Sequence, residues 1–194
     1  MDRRHRHATR DSTVILGTWG ATPDEVHGAM PGDDIVADAR LIATRSVTVA
    51  SPPHEVFPWL RQMGFGRAGW YSYDLLDNLG RRSATRIHDE WQTLATGDPV
   101  PGGPVDFIAV VVEPPRHLIL RLGPTADTPR RVDFTLAYDL RDDPAGTRLV
   151  TRVRARIDAP GGRLVERLVL GPGDGVMLRR QLRGIARRCN RGGP

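Results

Sequence analysis

The residues of this chain best suited to chemistry gather in one stretch, GFGRAGWYSYD, from Gly64 to Asp74. Three glycines, Gly64, Gly66 and Gly69, lead into three aromatics, Trp70, Tyr71 and Tyr73, and then a carboxylate, Asp74. A glycine-rich turn can cradle phosphate, but such a loop lies between a strand and a helix and carries a Lys-Ser/Thr or dinucleotide spacing. Here the glycines follow a predicted helix, and the chain contains no lysine. They are expected instead to bend a loop, with positive φ at one or more of them. The aromatics have two readings. They plug the end of the core, or one or two of them line the mouth of an apolar cavity, where a ring offers large apolar area with a polar handle. Asp74 falls in the first turn of a predicted helix, where the dipole favours a carboxylate. It is either a cap or an acid/base group. Tyr138 shares a strand face with Phe134 and Leu136 and is predicted to point inward, where its hydroxyl needs a partner: a ligand carbonyl or a backbone group.

Other chemistries find less material. His5, His7, His27, His54, His88 and His117 are scattered, and no His-Cys-carboxylate spacing matches a zinc site. His88-Asp89-Glu90 reads as a solvated turn. No serine sits in a nucleophile-elbow pattern. The single Cys189 has no internal disulfide partner and reads as a buried thiol. No metal and no cofactor are expected.

Composition sets the frame. The chain has 194 residues, 39% hydrophobic and 26% charged, which suits one soluble domain with its own core. The net charge of +5 is unevenly placed. Residues 1–10 and 179–194 are strongly basic, through arginine alone, so the body between them is mildly acidic. A nucleic-acid binder puts its basic stripe on a folded face; here solvated basic ends on a near-neutral domain are expected, and no nucleic acid. The opening MDRRHRH is basic, but Val14-Ile15-Leu16 is cut short by Gly17, so no secretory signal and no transmembrane segment are read, and a cytoplasmic location is expected.

The elements that must position these groups follow from periodicity. Thr22-Pro23-Asp24-Glu25 is a compact helix start. Residues 42–50 read as a strand. After Ser51-Pro52-Pro53, the residues Val56, Trp59, Leu60 and Met63 form one helical stripe, interrupted by Pro58 and ended by Gly64. Ser72 is expected to cap a short helix with Leu75, Leu76 and Leu79 facing inward and Gly80 as its stop. Ile87, Trp91 and Leu94 suggest a further turn. Strands follow: 105–113, 117–122, 131–140 and 148–157. In the last of these, Leu149, Val153 and Ile157 share the inner face while Arg152, Arg154 and Arg156 share a face expected to be wet. Residues 163–170 read as a helix broken at Gly171-Pro172-Gly173. Asp174 is expected to cap a final helix to Cys189, with Leu178, Leu182, Ile185 and Cys189 as its buried stripe. A one-sided sheet needs a cover, and only this last helix is long enough to supply most of it.

This order of elements resembles the helix-grip fold of the START-like, polyketide-cyclase/dehydrase-like SRPBCC superfamily. The segments PPHEVFPWLRQMG and GRAGWYSYDLLDN carry the likeness best, toward a mostly actinobacterial branch. VVEPPRHLILR resembles the central hairpin and GDGVMLRRQLRGIARR the final helix, so that the likeness spans about residues 18–188. Gly175 departs from the pattern, standing where a bulky apolar residue is usual, which would widen the cavity or loosen the helix start. The resemblance implies an α+β helix-grip fold: a curved antiparallel sheet wrapped around a long C-terminal helix, with short helices after the first strand. Residues 1–17 are then a disordered basic arm, 18–190 a single domain and 191–194 a tail.

It also implies a cavity for a hydrophobic or amphipathic small molecule, lipid- or polyketide-like, between the sheet and the last helix. The candidate lining is Trp59, Trp70, Tyr71, Tyr73, Asp74, Phe134, Tyr138, Met177 and Leu178. The partner is an apolar small molecule, and the protein a monomer or homodimer. Two alternatives stay open. One is an enzyme of cyclase or dehydratase type, drawing on Asp74, Tyr71, Tyr73 or Tyr138. The other is an interaction module using the basic last helix, with Arg179, Arg180, Arg183, Arg187 and Arg188.

Overall fold

In a computed structural model the chain is described at residues 18–123, 132–158, 160 and 171–190. The arm at 1–17, the helix read at 163–170 and the tail at 191–194 lie outside the described residues. In chain order the elements are α1 (Pro23–His27), β1 (Leu41–Val49), α2 (Pro53–Arg61), α3 (Asp74–Asp77), a 3-10 turn (Asp89–Trp91), β2 (Pro99–Val100), β3 (Phe107–Glu113), β4 (His117–Leu122), β5 (Val132–Asp143), β6 (Gly146–Ile157) and α4 (Gly171–Cys189). The helix α4 begins at Gly171, so Asp174 lies within its first turn and is not its cap.

The six strands form one antiparallel sheet in the order β1-β6-β5-β4-β3-β2. The alternation Leu136, Tyr138, Leu140 on β5 and Leu149, Val153, Ala155 on β6 places those side chains in the main core. There they meet Leu178, Leu182 and Ile185 of α4, one stripe of a helix laid across the sheet. Val56, Trp59, Leu60 and Met63 of α2 and its end close the same core. This is the α+β helix-grip architecture: a curved sheet around a long C-terminal helix, with short helices after the first strand.

The second face of the sheet is covered along β6 and open to solvent toward β1 and β3, where Ile42 and Ile108 are exposed. Residues 22–38 lie across it, and a smaller apolar cluster of Met30, Ile119, Ala137 and Val150 sits beneath them. The arginines of β6 hold this strap. Arg152, only 4% exposed, donates to the carbonyls of Glu25 (2.6 Å), Val26 (3.1 Å) and Gly28 (3.0 Å), to Thr44 Oγ1 (2.9 Å) and to Asp33 Oδ2 (2.6 Å). Arg154 reaches the Val36 carbonyl at 3.0 Å, and Arg156 pairs with Asp38. A buried charge is tolerable only when paired and hydrogen-bonded; the long arginine stem lies along apolar surface while its planar head meets several acceptors. That chemistry converts an apparently polar face into an interior one.

The start of the strap matches its sequence signal. Thr22 and Glu25 form a reciprocal capping box, Thr22 N–H to Glu25 Oε2 at 2.8 Å and Glu25 N–H to Thr22 Oγ1 at 3.2 Å. Glu25 also accepts from Arg148 Nε (2.7 Å) and the Ser46 hydroxyl (3.0 Å). Burial raises its pKa, but Arg148, the Thr22 amide and Ser46 outweigh this and hold it at about 2.

Candidate functional site

The glycine-rich stretch is a loop. Gly64, Gly66 and Gly69 all have positive φ (138°, 73° and 73°) and need the freedom that only glycine has. A Cβ on Gly69 would stand 2.5 Å from Ser83 Oγ. The loop is anchored by Asn78, whose Oδ1 accepts from the Gly66 N–H (3.1 Å) while its Nδ2 donates to the Arg81 carbonyl (2.9 Å). This ties the end of α3 to the loop.

Between the sheet and α4 lies a hollow of about 200 Å³, open on one side. Its apolar wall is Trp70, Phe107, Phe134, Leu136, Met177 and Leu178, and Gly102, Ser72, Asp77 and Gln181 complete it. The rings interlock: Trp70 and Phe107 are edge-to-face with centroids 5.7 Å apart, and Phe107 lies 6.1 Å from Phe134. Gln181 is placed by Tyr138, whose hydroxyl donates to its Oε1 at 2.8 Å. Ser72 donates to the Met177 carbonyl at 3.0 Å, joining α4 to the segment before α3.

Asp77 is the unusual member. Neither of its carboxylate oxygens, both shielded from water, has a hydrogen-bond partner at good geometry. Burial, and next the negative charge of Asp74, push its pKa up to about 6, against weaker lowering by the backbone of Tyr73, its own amide and the Ser72 hydroxyl. A carboxyl group so tuned exchanges a proton near neutral pH.

The predicted lining divides. Trp70, Phe134, Met177 and Leu178 line the hollow. Tyr138 is buried one hydrogen bond behind it, its hydroxyl bonded to the Gln181 side chain. Tyr71 is buried with φ 58°, its hydroxyl accepting from Gln62 Nε2 at 2.8 Å and its pKa raised by burial. Tyr73 is partly exposed beneath the Arg180 guanidinium, 4.6 Å from the ring centroid. Asp74 accepts from the Ser83 hydroxyl, which in turn accepts from the Tyr71 N–H at 3.1 Å. Trp59 lines a different, more polar groove of about 630 Å³, with Glu55, Arg86, Arg187, Arg188 and Cys189.

Sequence reasoning missed Ser72, Asp77, Gly102, Phe107, Leu136 and Gln181 as lining. Gln181 was legible, because it follows Met177 and Leu178 by one helical turn. Asp77 had a weaker signal in its spacing of three from Asp74.

The short helix also needs correction. Its cap position is Tyr73, without a side-chain bond, since the Ser72 hydroxyl is engaged with α4. Leu75, Leu76 and Leu79 face solvent, not the core. The arginines of α4 mostly stack on aromatic rings: Arg179 and Arg183 on Trp19, Arg180 on Tyr73 and Arg188 on Tyr71. Gly175 is buried within α4 but does not wall the hollow. Among the described residues there is no cluster of three or more side chains able to hold a metal ion, and no helix long and apolar enough to cross a membrane.

The chain matches no family model and no curated protein. It is similar in structure to a protein from Mesorhizobium loti, at 13% identity and a TM-score of 0.51, covering 79% of this chain and 100% of that one. A protein from Nitrosomonas europaea is similar at 14% identity and a TM-score of 0.50, over 79% of this chain and 96% of that one. A Polyketide_cyc-like protein from Corynebacterium glutamicum aligns at 14% identity over 75% of this chain and 89% of its own, with a TM-score of only 0.37. At these identities the likeness to the first two is one of fold alone.

Proposed function

We propose that the protein is a START-like SRPBCC member that binds a small molecule with an apolar body and a polar end, held between the sheet and α4. One observation carries the reading. An aromatic-lined hollow of about 200 Å³ has in its wall Asp77, whose carboxylate oxygens are shielded and lack a partner at good hydrogen-bond geometry. A largely apolar pocket with a few convergent polar groups is the usual form of a ligand site. An apolar cavity of about 150 Å³ admits a molecule the size of benzene. This one suits a single ring or a short branched chain, with anything longer leaving by the open side. The polar end donates a hydrogen bond to Asp77; a ligand carboxylate would meet repulsion there.

Native mass spectrometry of freshly purified protein, followed by organic extraction, tests the proposal. The expected result is a released apolar compound that is absent from Leu136→Trp, where an indole fills the hollow. An apo mass, together with equal binding of an anilinonaphthalene probe by the wild type and Leu136→Trp, would overturn it.

A second reading has its own observation, the tuning of Asp77 to about 6, which suits a general acid or base in a cyclase- or dehydratase-type reaction. Consumption of the extracted compound, lost in Asp77→Asn, would favour the enzyme. Recovery of the compound unchanged would favour the binding protein.

A further inference from the structure

The helix α3 reverses the usual arrangement of a surface helix. Its acids turn inward, Asp74 to the Ser83 hydroxyl and Asp77 to the hollow. Its leucines turn outward: Leu75 is 78% exposed and Leu76 71%. Just beyond the helix Leu79 is 76% exposed, with its backbone in the left-handed region at φ 50°. A leucine rarely adopts that conformation. Here the inward tie of Asn78 to Gly66 and Arg81 leaves Leu79 on the outside. Single exposed leucines are ordinary, but three in five residues form a patch of the kind that marks an interaction surface.

The flanking charges say what the patch fits. Arg81 and Arg82 follow at once, both exposed, and neither guanidinium has a hydrogen bond or ion pair among the described residues. In contrast, the acids of α3 are withdrawn from this surface. Apolar side chains beside free cations suit the interface of an anionic lipid bilayer: the leucines enter the headgroup–acyl boundary and the arginines meet lipid phosphates and carboxylates. We propose that this patch docks the protein on an anionic bilayer, with the hollow on the other side of α3. The docking does not require a loaded hollow.

Flotation with vesicles of phosphatidylcholine, with and without phosphatidylserine, tests it. The full chain is expected to float with the phosphatidylserine vesicles, and less so as salt is added. The combined variant Leu75→Ser, Leu76→Ser, Leu79→Ser is expected to lose at least about tenfold in vesicle affinity with an unchanged melting curve, since these side chains pack on little. Arg81→Ala with Arg82→Ala is expected to lose about tenfold or more on anionic vesicles. Failure of the wild type to float would overturn the proposal, as would flotation indifferent to the leucine variant. A wild-type dimer in sedimentation velocity, dispersed by the leucine variant and without vesicle binding, would assign the patch to a second copy of the chain instead.

Discussion

The phenol of Tyr138 on β5 donates to Oε1 of Gln181 on α4 at 2.8 Å, across the interior. Gln181 Nε2 in turn reaches Met63 Sδ at 3.6 Å, beyond the end of α2. This pair sets how closely the last helix lies on the sheet, and Gln181 also walls the hollow. Position of the helix and shape of the cavity are therefore one property. Tyr138→Phe leaves the Gln181 carbonyl short of a donor and is expected to lower stability by about 1–2 kcal/mol. Adding Gln181→Leu should recover part of the loss, because removing both partners costs less than stranding one. Urea denaturation of the four proteins of the cycle measures the coupling.

Arg152 is the pin of the strap. Arg152→Met leaves three carbonyls of residues 22–38 without their donor and Asp33 with only the Met30 amide and Arg154, and is expected to cost about 3 kcal/mol or more. Hydrogen exchange should quicken in the strap before it quickens in β5 and β6; uniform exchange would argue against a separately held layer.

Glu25 links stability to acid. Its folded pKa of about 2 lies below its ordinary 4.5, so the folded state holds the ionised form. The stabilisation is present above about pH 4.5 and is lost as pH falls toward 2. Glu25→Gln is expected to be less stable than the wild type by about 2 kcal/mol at pH 7, the gap narrowing in acid. Denaturation curves at a series of pH values check this.

Asp77 works with the opposite sign. Its folded pKa of about 6 lies above the ordinary 3.8, so the folded state prefers the neutral form. The cost of ionisation is absent below about pH 3.8, grows between there and 6, and is constant above. Asp77→Asn is expected to match the wild type in acid and to exceed its stability above pH 6. Equal stability of the two proteins at pH 8 would show that the carboxylate is better solvated than its place in the wall suggests.

Gly184 lets α4 approach the turn at Tyr71. A Cβ there would stand 2.4 Å from the Tyr71 carbonyl oxygen and 3.1 Å from Tyr71 Cβ. Gly184→Ala gains helix propensity, yet is expected to lose about 2 kcal/mol net, because backbone at both sides must shift. Its melting temperature should fall, and probe binding in the hollow should weaken with it.

What the sequence determined by itself was local. The alternation along β5 and β6 fixed which residues face α4, since a strand's side chains change face at every residue. Thr22 and Glu25 announced the start of α1 because the capping box closes within one turn. The stripe Leu178, Leu182 and Ile185 chose the buried face of α4 in the same way. The helix-grip fold, and the cavity for which Trp70, Phe134, Met177 and Leu178 were candidate lining, were implied by the family resemblance of the segments that carry it and not by these local patterns. What only the tertiary structure decided depends on contacts distant in the chain. The arginines of β6 read as a wet face, because nothing within β6 reveals a strap more than one hundred residues away reaching over it. Leu75 and Leu76 read as core, because a four-residue helix has too few turns for periodicity to orient it. Asp77 carried no reading in the sequence, since the burial that raises its pKa most comes from the walls of the hollow, which include residues of β3, β5 and α4 distant in the chain. Local sterics and hydrogen bonding write the elements; burial, which belongs to no residue alone, decides which of their faces become interior, which become site and which are left for a partner.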